Sequence, residues 1–155
     1  MNARVSSPWH RRAAVAVLVA GLYMEAVEWI DLYPWNDIRH GNGQATLDYA
    51  IAAVVLAQFL WLLRGDRAGA LVAVALMGLW SWLQIATWWL PYFAGVSPGW
   101  AKVYAKWFAG TTQILPTWPN HLPPDANHLT LDLLIFSAFL SSLAALIASF
   151  AARRR

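Results

Sequence analysis

Glu25, Glu28, Asp48 and Asp132 interrupt or border the most apolar stretches of the chain. An ionised carboxylate costs about 2.5–3.5 kcal/mol at mid-membrane and less toward the edge. A chain that keeps acids there must protonate them, hydrogen-bond them or match them with a cation. Glu25 and Glu28 lie three residues apart, one helical turn. Carboxylates that close raise the pKa of at least one of the pair, which is how a proton donor near neutral pH is made. His128 stands four residues before Asp132 on the same helical stripe and adds an imidazole. Glu25, Glu28, Asp132 and His128 are therefore the candidates for acid–base chemistry. Arg39, His40 and His121 are the other cations within reach, too few to pair every acid.

A second set of residues has the types needed to hold a ligand. Gln84 and Thr87 precede Pro91 and share a layer with the deeper acids. Trp80, Trp88, Trp89 and Tyr92 supply aromatic walls, and Asp48 falls in a first helical turn, where the helix dipole favours negative charge. Other chemistries are excluded. The chain has no cysteine, which removes disulfide, thiol and Cys–metal chemistry. It has no glycine-rich phosphate loop and no Ser/His/Asp constellation. His121, His128, Asp132 and Glu25 could make a His/carboxylate metal site, but no HExxH or ExxH spacing supports one, so no metal is expected. The residues name no cofactor. The basic residues border apolar runs without forming a face, which argues against nucleic acid.

The elements that must position these groups are helices in lipid. The 155 residues are 59% hydrophobic and only 12% charged, about half the charge of an ordinary soluble domain. So short a soluble chain has too little interior to hide that apolar surface. Uncharged runs at 68–90 and 133–152 reach the roughly 20 residues needed to cross a bilayer. Two shorter runs become long enough only when extended through their acids. The expectation is one all-α unit, an integral membrane four-helix bundle with helices at about 11–32, 46–63, 67–90 and 126–151. Ser7-Pro8 opens the first helix and Pro34 stops it; Asp66 caps the third and Pro91 ends it; Asp125 or Asn127 caps the fourth. A cleaved signal peptide is the rival for the first segment, but no small-x-small site precedes Glu25.

Charge orients the bundle. Arg4, Arg11 and Arg12, then Arg64 and Arg67, then Arg153, Arg154 and Arg155 fall on one side after four crossings, and every acid except Asp66 lies toward the other. The positive-inside rule then puts both termini in the cytoplasm, in a cell membrane. Trp29, Trp35, Trp88, Trp89, Trp100, Trp107 and Trp118 fall at or beyond the outer ends, as an aromatic belt does. Between Pro91 and Asp125, residues 98–109 carry Trp100, Val103, Tyr104, Trp107 and Phe108 at helical spacing, with Lys102 and Lys106 opposite. That is a short amphipathic interfacial helix in the outer loop, or a lid over the bundle.

At 1.5 Å per residue, Glu25 and Asp132 each lie roughly 10 Å below the outer end of their helices. Ala14, Leu18, Gly21, Glu25 and Glu28 follow one stripe; Asp125, His128 and Asp132 follow another that continues through small residues near Ser141, Ala145 and Ala148. The expectation is an acidic, aromatic-lined pocket in the outer half of the bundle, binding or converting a small lipophilic or cationic molecule. The alternatives are a proton or cation transporter, and an accessory subunit that binds a partner membrane protein or a second copy through its small-residue faces.

Overall fold

A computed structural model describes residues 7–38, 45–108 and 110–151, and the side chains of all of these except 45–48. Arg39, His40, the C-terminal arginines and the Asp48 side chain lie outside this set. The described chain is all-helical. Helix α1 spans Pro8–Trp29, α2 Ala45–Leu63 and α3 Arg67–Gln84; a π turn, Ile85–Trp89, leads into α4, Leu90–Ala94; α5 spans Pro98–Trp107 and α6 Ala126–Ala151.

Local signals explain most boundaries. Pro8 sits in the first turn of α1, where its missing N–H has no helical partner to lose. Asp66 Oδ1 accepts from Gly69 N at 2.7 Å and starts α3. Ser97 Oγ accepts from Trp100 N at 3.1 Å and starts α5. Helix α1 stops at Trp29, short of the expected Leu32, because the buried Asn36 side chain donates to Val27 O and Ile30 O and turns the chain there. Pro91 does not end the third helix, contrary to the sequence reading. Leu90 N reaches Ile85 O, five residues back, so the α ladder is already broken where the proline arrives, and helical winding continues to Ala94.

Helix α6 packs on α1 and α3, and α2 packs on α1 and α3. The contact faces are built from small residues. Ala13, Ala14 and Val17 of α1, Ala70 and Ala73 of α3, and Ala138 and Ala145 of α6 are buried in one apolar cluster with Val55 and Leu62 of α2. Gly21 faces Val55 so closely that any β-carbon would collide with it. Three contacts fix the directions of α1, α3 and α6. At one end Ser149 Oγ meets His10 Nε2 at 3.2 Å, and the Arg67 guanidinium lies 3.6 Å above the Phe150 ring. At the other end Tyr23 donates to Asn127 Oδ1 at 2.9 Å. Arg11, Arg12, Arg64 and Arg67 gather at the first end; Asp31, Asp37, Asp125 and Asp132 gather at the second.

The faces turned away from this core are apolar too. Leu133, Leu140 and Ile147 repeat every seven residues along α6, all more than half exposed, and Leu71, Leu79 and Leu83 on α3 are more than half exposed as well. Residues 67–94 and 126–151 form two helical stretches long and apolar enough to cross a membrane, with only 33% and 22% of their most apolar windows buried. The core helix of a soluble protein is mostly buried; these are not.

Candidate functional site

The site grows from the first two turns of α6. Asp125 is 1% exposed and stands just before the helix. Its Oδ1 accepts from the His128 backbone N–H at 2.9 Å and from His128 Nδ1 at 2.7 Å. The first bond is an ordinary helix cap. The second is possible because residues three apart share a helix face. Burial pushes the Asp125 carboxyl up, but the hydrogen bonds and charge of His128, with a further bond from Thr111, outweigh it and hold the group below the usual carboxylate range. An ionised carboxylate only accepts, so Nδ1 carries the proton and Nε2 is the atom left for exchange.

The His128 ring is held between aromatics. It lies 3.9 Å from the Trp88 ring centroid, tilted by 38°, and meets Phe108 edge-on at 5.2 Å. Trp88 is itself enclosed by Trp100, Tyr104 and Phe108, each at an edge-to-face angle. Helix α5 thus turns its aromatic face onto the bundle end, while Lys102 and Lys106 stay exposed. Tyr104 donates to Pro123 O at 3.0 Å and anchors α5 to the segment leading into α6. Burial and the neighbouring Asp125 charge push the Tyr104 phenol up to about 12, against a hydrogen bond with Gln113 that lowers it.

One turn deeper, Asp132 is also 1% exposed. Its Oδ2 accepts from Trp89 Nε1 at 2.7 Å, and its Oδ1 is buried with no hydrogen-bond partner. The Ser81 hydroxyl on α3 and the Trp100 indole N–H are likewise buried and unpartnered. The π turn explains how two consecutive tryptophans serve the same helix. A π turn winds more residues per turn than an α turn, so neighbouring side chains diverge less. Trp88 then reaches His128 while Trp89 reaches Asp132, four residues further along α6.

The outer loops close over this end through backbone bonds. Thr112 N donates to Pro34 O at 2.7 Å, and Ala126 N donates to Thr112 O at 2.8 Å. Trp35 Nε1 donates to Tyr23 Oη at 2.8 Å, and Tyr23 passes the chain of bonds on to Asn127.

The expected site residues divide into three groups. His128, Asp132, Trp88 and Trp89 come together, and Gln84 is buried one turn before Trp88 on the same helix. Tyr92 is buried beside them but serves the loop: it stacks on Trp118 at 5.2 Å, and its carbonyl meets His121 Nδ1 at 2.9 Å. Trp80 packs into the apolar core beside Ala20 and Ile135. Glu25 is half-buried and bonded to Trp29 of its own helix at 3.3 Å, while Glu28 and Thr87 are exposed. The expected convergence of the α1 acids with Asp132 is therefore not what the fold builds; the α1 stripe buries Ala14 and Gly21 and carries Glu28 onto the surface. The Asp48 side chain lies outside the described set. Sequence reasoning took Asp125 as a cap on the stripe of His128 and Asp132, and missed its bond to the His128 ring although the i, i+3 spacing signals it. It did not connect Trp100, Tyr104 and Phe108 to Trp88, it passed over Tyr23, and it gave Trp35 and Asn127 only a belt and a cap role.

Among the described residues no group of three or more His, Asp or Glu is placed to hold a metal ion. The arrangement can orient a proton carrier, His128, against one carboxylate and offer a second, Asp132, as a hydrogen-bond or cation partner. No family model matches the sequence, and neither a curated protein nor a solved structure resembles it.

Proposed function

We propose that the chain is an integral membrane four-helix bundle, made by α1, α2, α3 with its continuation to Ala94, and α6. Its acidic end carries an acid–base site for a small lipophilic or cationic molecule. The membrane reading is supported by the apolar outer faces of α3 and α6 and by the segregation of arginines to one end, which the positive-inside rule assigns to the cytoplasm. Both termini are then cytoplasmic, and α5 caps the bundle on the outer side.

One observation carries the functional reading. Asp132 is buried and keeps one carboxylate oxygen unpartnered, one turn from an imidazole oriented by a second buried carboxylate. An unmet buried acceptor costs about 1–3 kcal/mol. A protonated amine or a hydroxyl seated beside Asp132 Oδ1 removes that cost, and Trp88 and Trp89 offer it aromatic faces. His128 Nε2 then gives or takes a proton, with Asp125 holding the ring in register. The conversion that these groups support is proton transfer, as in an isomerisation.

A conduit is less well supported. Toward the basic end, Gln58 donates to Gly69 O at 2.9 Å and Ser142 to Ala138 O at 2.7 Å. These buried polar groups are satisfied by backbone carbonyls, which favours a site closed at its inner side.

The test is a thermal-shift screen of purified protein in lipid nanodiscs against lipophilic amines, quaternary ammonium compounds and apolar alcohols. The reading expects a class of compounds that raises the melting temperature of wild type and of Glu28→Gln by several degrees, with the gain lost in Asp132→Asn and His128→Gln. Compounds that stabilise all four proteins equally, or no stabilising compound in any class, overturn it.

A further inference from the structure

Asp132 is almost wholly buried, so a ligand must displace something to reach it. The roof of the site is thick. Trp88 lies buried beneath Trp100, Tyr104 and Phe108, and α5 is tied down by the Tyr104 bond to Pro123 O, so entry from above means lifting a helix. The side wall is thinner. Trp89 Nε1 donates to Asp132 Oδ2 at 2.7 Å, yet the Trp89 ring is only half-buried. A path from the surface to the carboxylate therefore runs through the volume that this one side chain fills.

Little holds the ring on its outer side. Among the described residues it meets the buried Tyr92 edge-on at 6.3 Å and stacks on Phe93 at 5.9 Å, and Phe93 is 69% exposed. The neighbours of Trp89 and Asp132 along their helices, Leu90 and Leu133, are exposed and apolar too. Asp132 stands six residues past the start of α6, a rise of roughly 9 Å. In a bundle that crosses a bilayer, this patch faces the hydrocarbon of the outer leaflet.

We infer that Trp89 is a side gate through which the acid–base site takes its ligand from the outer leaflet, and that this ligand is a membrane-borne amphiphile with a primary amine headgroup. The headgroup follows from the carboxylate. Swinging the indole outward takes the donor from Oδ2, and Oδ1 has none to begin with. Both oxygens are then buried acceptors that the entering group must satisfy. A primary ammonium carries three N–H donors and meets both oxygens at once, whereas a quaternary ammonium offers none. The apolar surround sets the rest of the molecule, because a ligand that arrives between Leu90, Phe93 and Leu133 must first dissolve in lipid.

The inference rests on the proposed membrane site, and the experiment separates the two. The chain has no cysteine, so Asp132→Cys and Leu133→Cys each carry a single thiol, the first behind the gate and the second on the apolar outer face. In lipid nanodiscs each is treated with N-phenylmaleimide, which enters bilayers, and with a sulfonated maleimide, which does not. Leu133→Cys should react with the first reagent alone; reaction with the sulfonated one at an equal rate overturns the membrane reading and the gate with it. Asp132→Cys should react with N-phenylmaleimide about tenfold more slowly than Leu133→Cys. Adding Trp89→Ala should recover most of that factor, with Trp89→Phe between the two, while Tyr104→Phe, which loosens the roof, leaves the rate unchanged. A rate that neither Trp89 substitution raises, or that Tyr104→Phe raises as much, overturns the gate. Labelling of Asp132→Cys by the sulfonated reagent overturns entry from lipid. Dodecylamine should raise the melting temperature of wild type by several degrees, and dodecyltrimethylammonium and ethylamine should not; equal gains overturn the ligand class. Labelling rates as expected with no gain from any amine overturn the acid–base site and leave the gate standing.

Discussion

Removing the charge of Asp125 without removing its cap isolates the bond on which the site depends. Asn is as good an N-cap as Asp, so Asp125→Asn keeps the bond to His128 N and loses the charge-assisted bond to the imidazole. His128→Phe is the complementary change, since it keeps a ring against Trp88 and Phe108 and removes the nitrogen. A hydrogen bond to a charged group contributes about 1.5–3 kcal/mol, and Asp125 is 1% exposed, so screening by water is slight. Denaturant unfolding of wild type, the two single variants and the double variant in one detergent gives a cycle whose coupling energy should fall in that range. The sign with pH follows from the depressed carboxyl. Its contribution is present above the unfolded value of about 3.9 and is lost as pH falls through the lower folded value. The gap between wild type and Asp125→Asn is therefore full at neutral pH and closes in acid. A coupling energy under about 0.5 kcal/mol would refute the reasoning, because exposed ion pairs reach that much without any built geometry.

Other consequences follow from neighbouring contacts. Tyr104 is neutral in the fold up to about pH 12 but ionises near 10 when unfolded, so stability should drop between pH 10 and 12 by about 2–3 kcal/mol. Alkaline melts of Tyr104→Phe should lack most of that drop. Trp89→Phe keeps a ring to stack on Phe93 and leaves both Asp132 oxygens unpaired, which should cost about 1–3 kcal/mol in unfolding experiments. Restoring stability in Trp89→Phe/Asp132→Leu would locate the cost in the carboxylate. Gly21→Ala drives a β-carbon into Val55 and should destabilise by about 1–3 kcal/mol, with Val55→Ala as the rescuing second change.

Much of the fold was legible because it is written locally. Asp66, Ser97 and Asp125 precede apolar runs as caps do, and each one caps. The small residues of α1 and α6 announce close helix approach, and Gly21, Ala14 and Ala145 lie in the contacts. The π turn was hidden, since Ile85–Trp89 differs from an α turn only in which carbonyl each N–H reaches, and tertiary contacts decide that. Pro91 misled for the same reason. Periodicity drew α5 with one aromatic face but could not name what covers it; Trp88 does. Glu25 shows the limit of stripes. Spacings of three and four keep residues on one helix face, but a face is buried only as far as a partner covers it: Ala14 and Gly21 are buried, Glu25 one turn past Gly21 is half-buried, and Glu28 is exposed. Asp132, on the helix that packs against two others, is carried into the interior.

The tautomer of His128 tests the central claim most directly. The chain has four histidines, so nitrogen-15 labelling of histidine in bilayers, with His128→Gln to assign the signal, reads each ring nitrogen. At a pH where the ring is neutral, the account predicts a protonated Nδ1 and a bare Nε2, because ionised Asp125 can only accept. A His128 ring protonated at Nε2, and unchanged by Asp125→Asn, would contradict it.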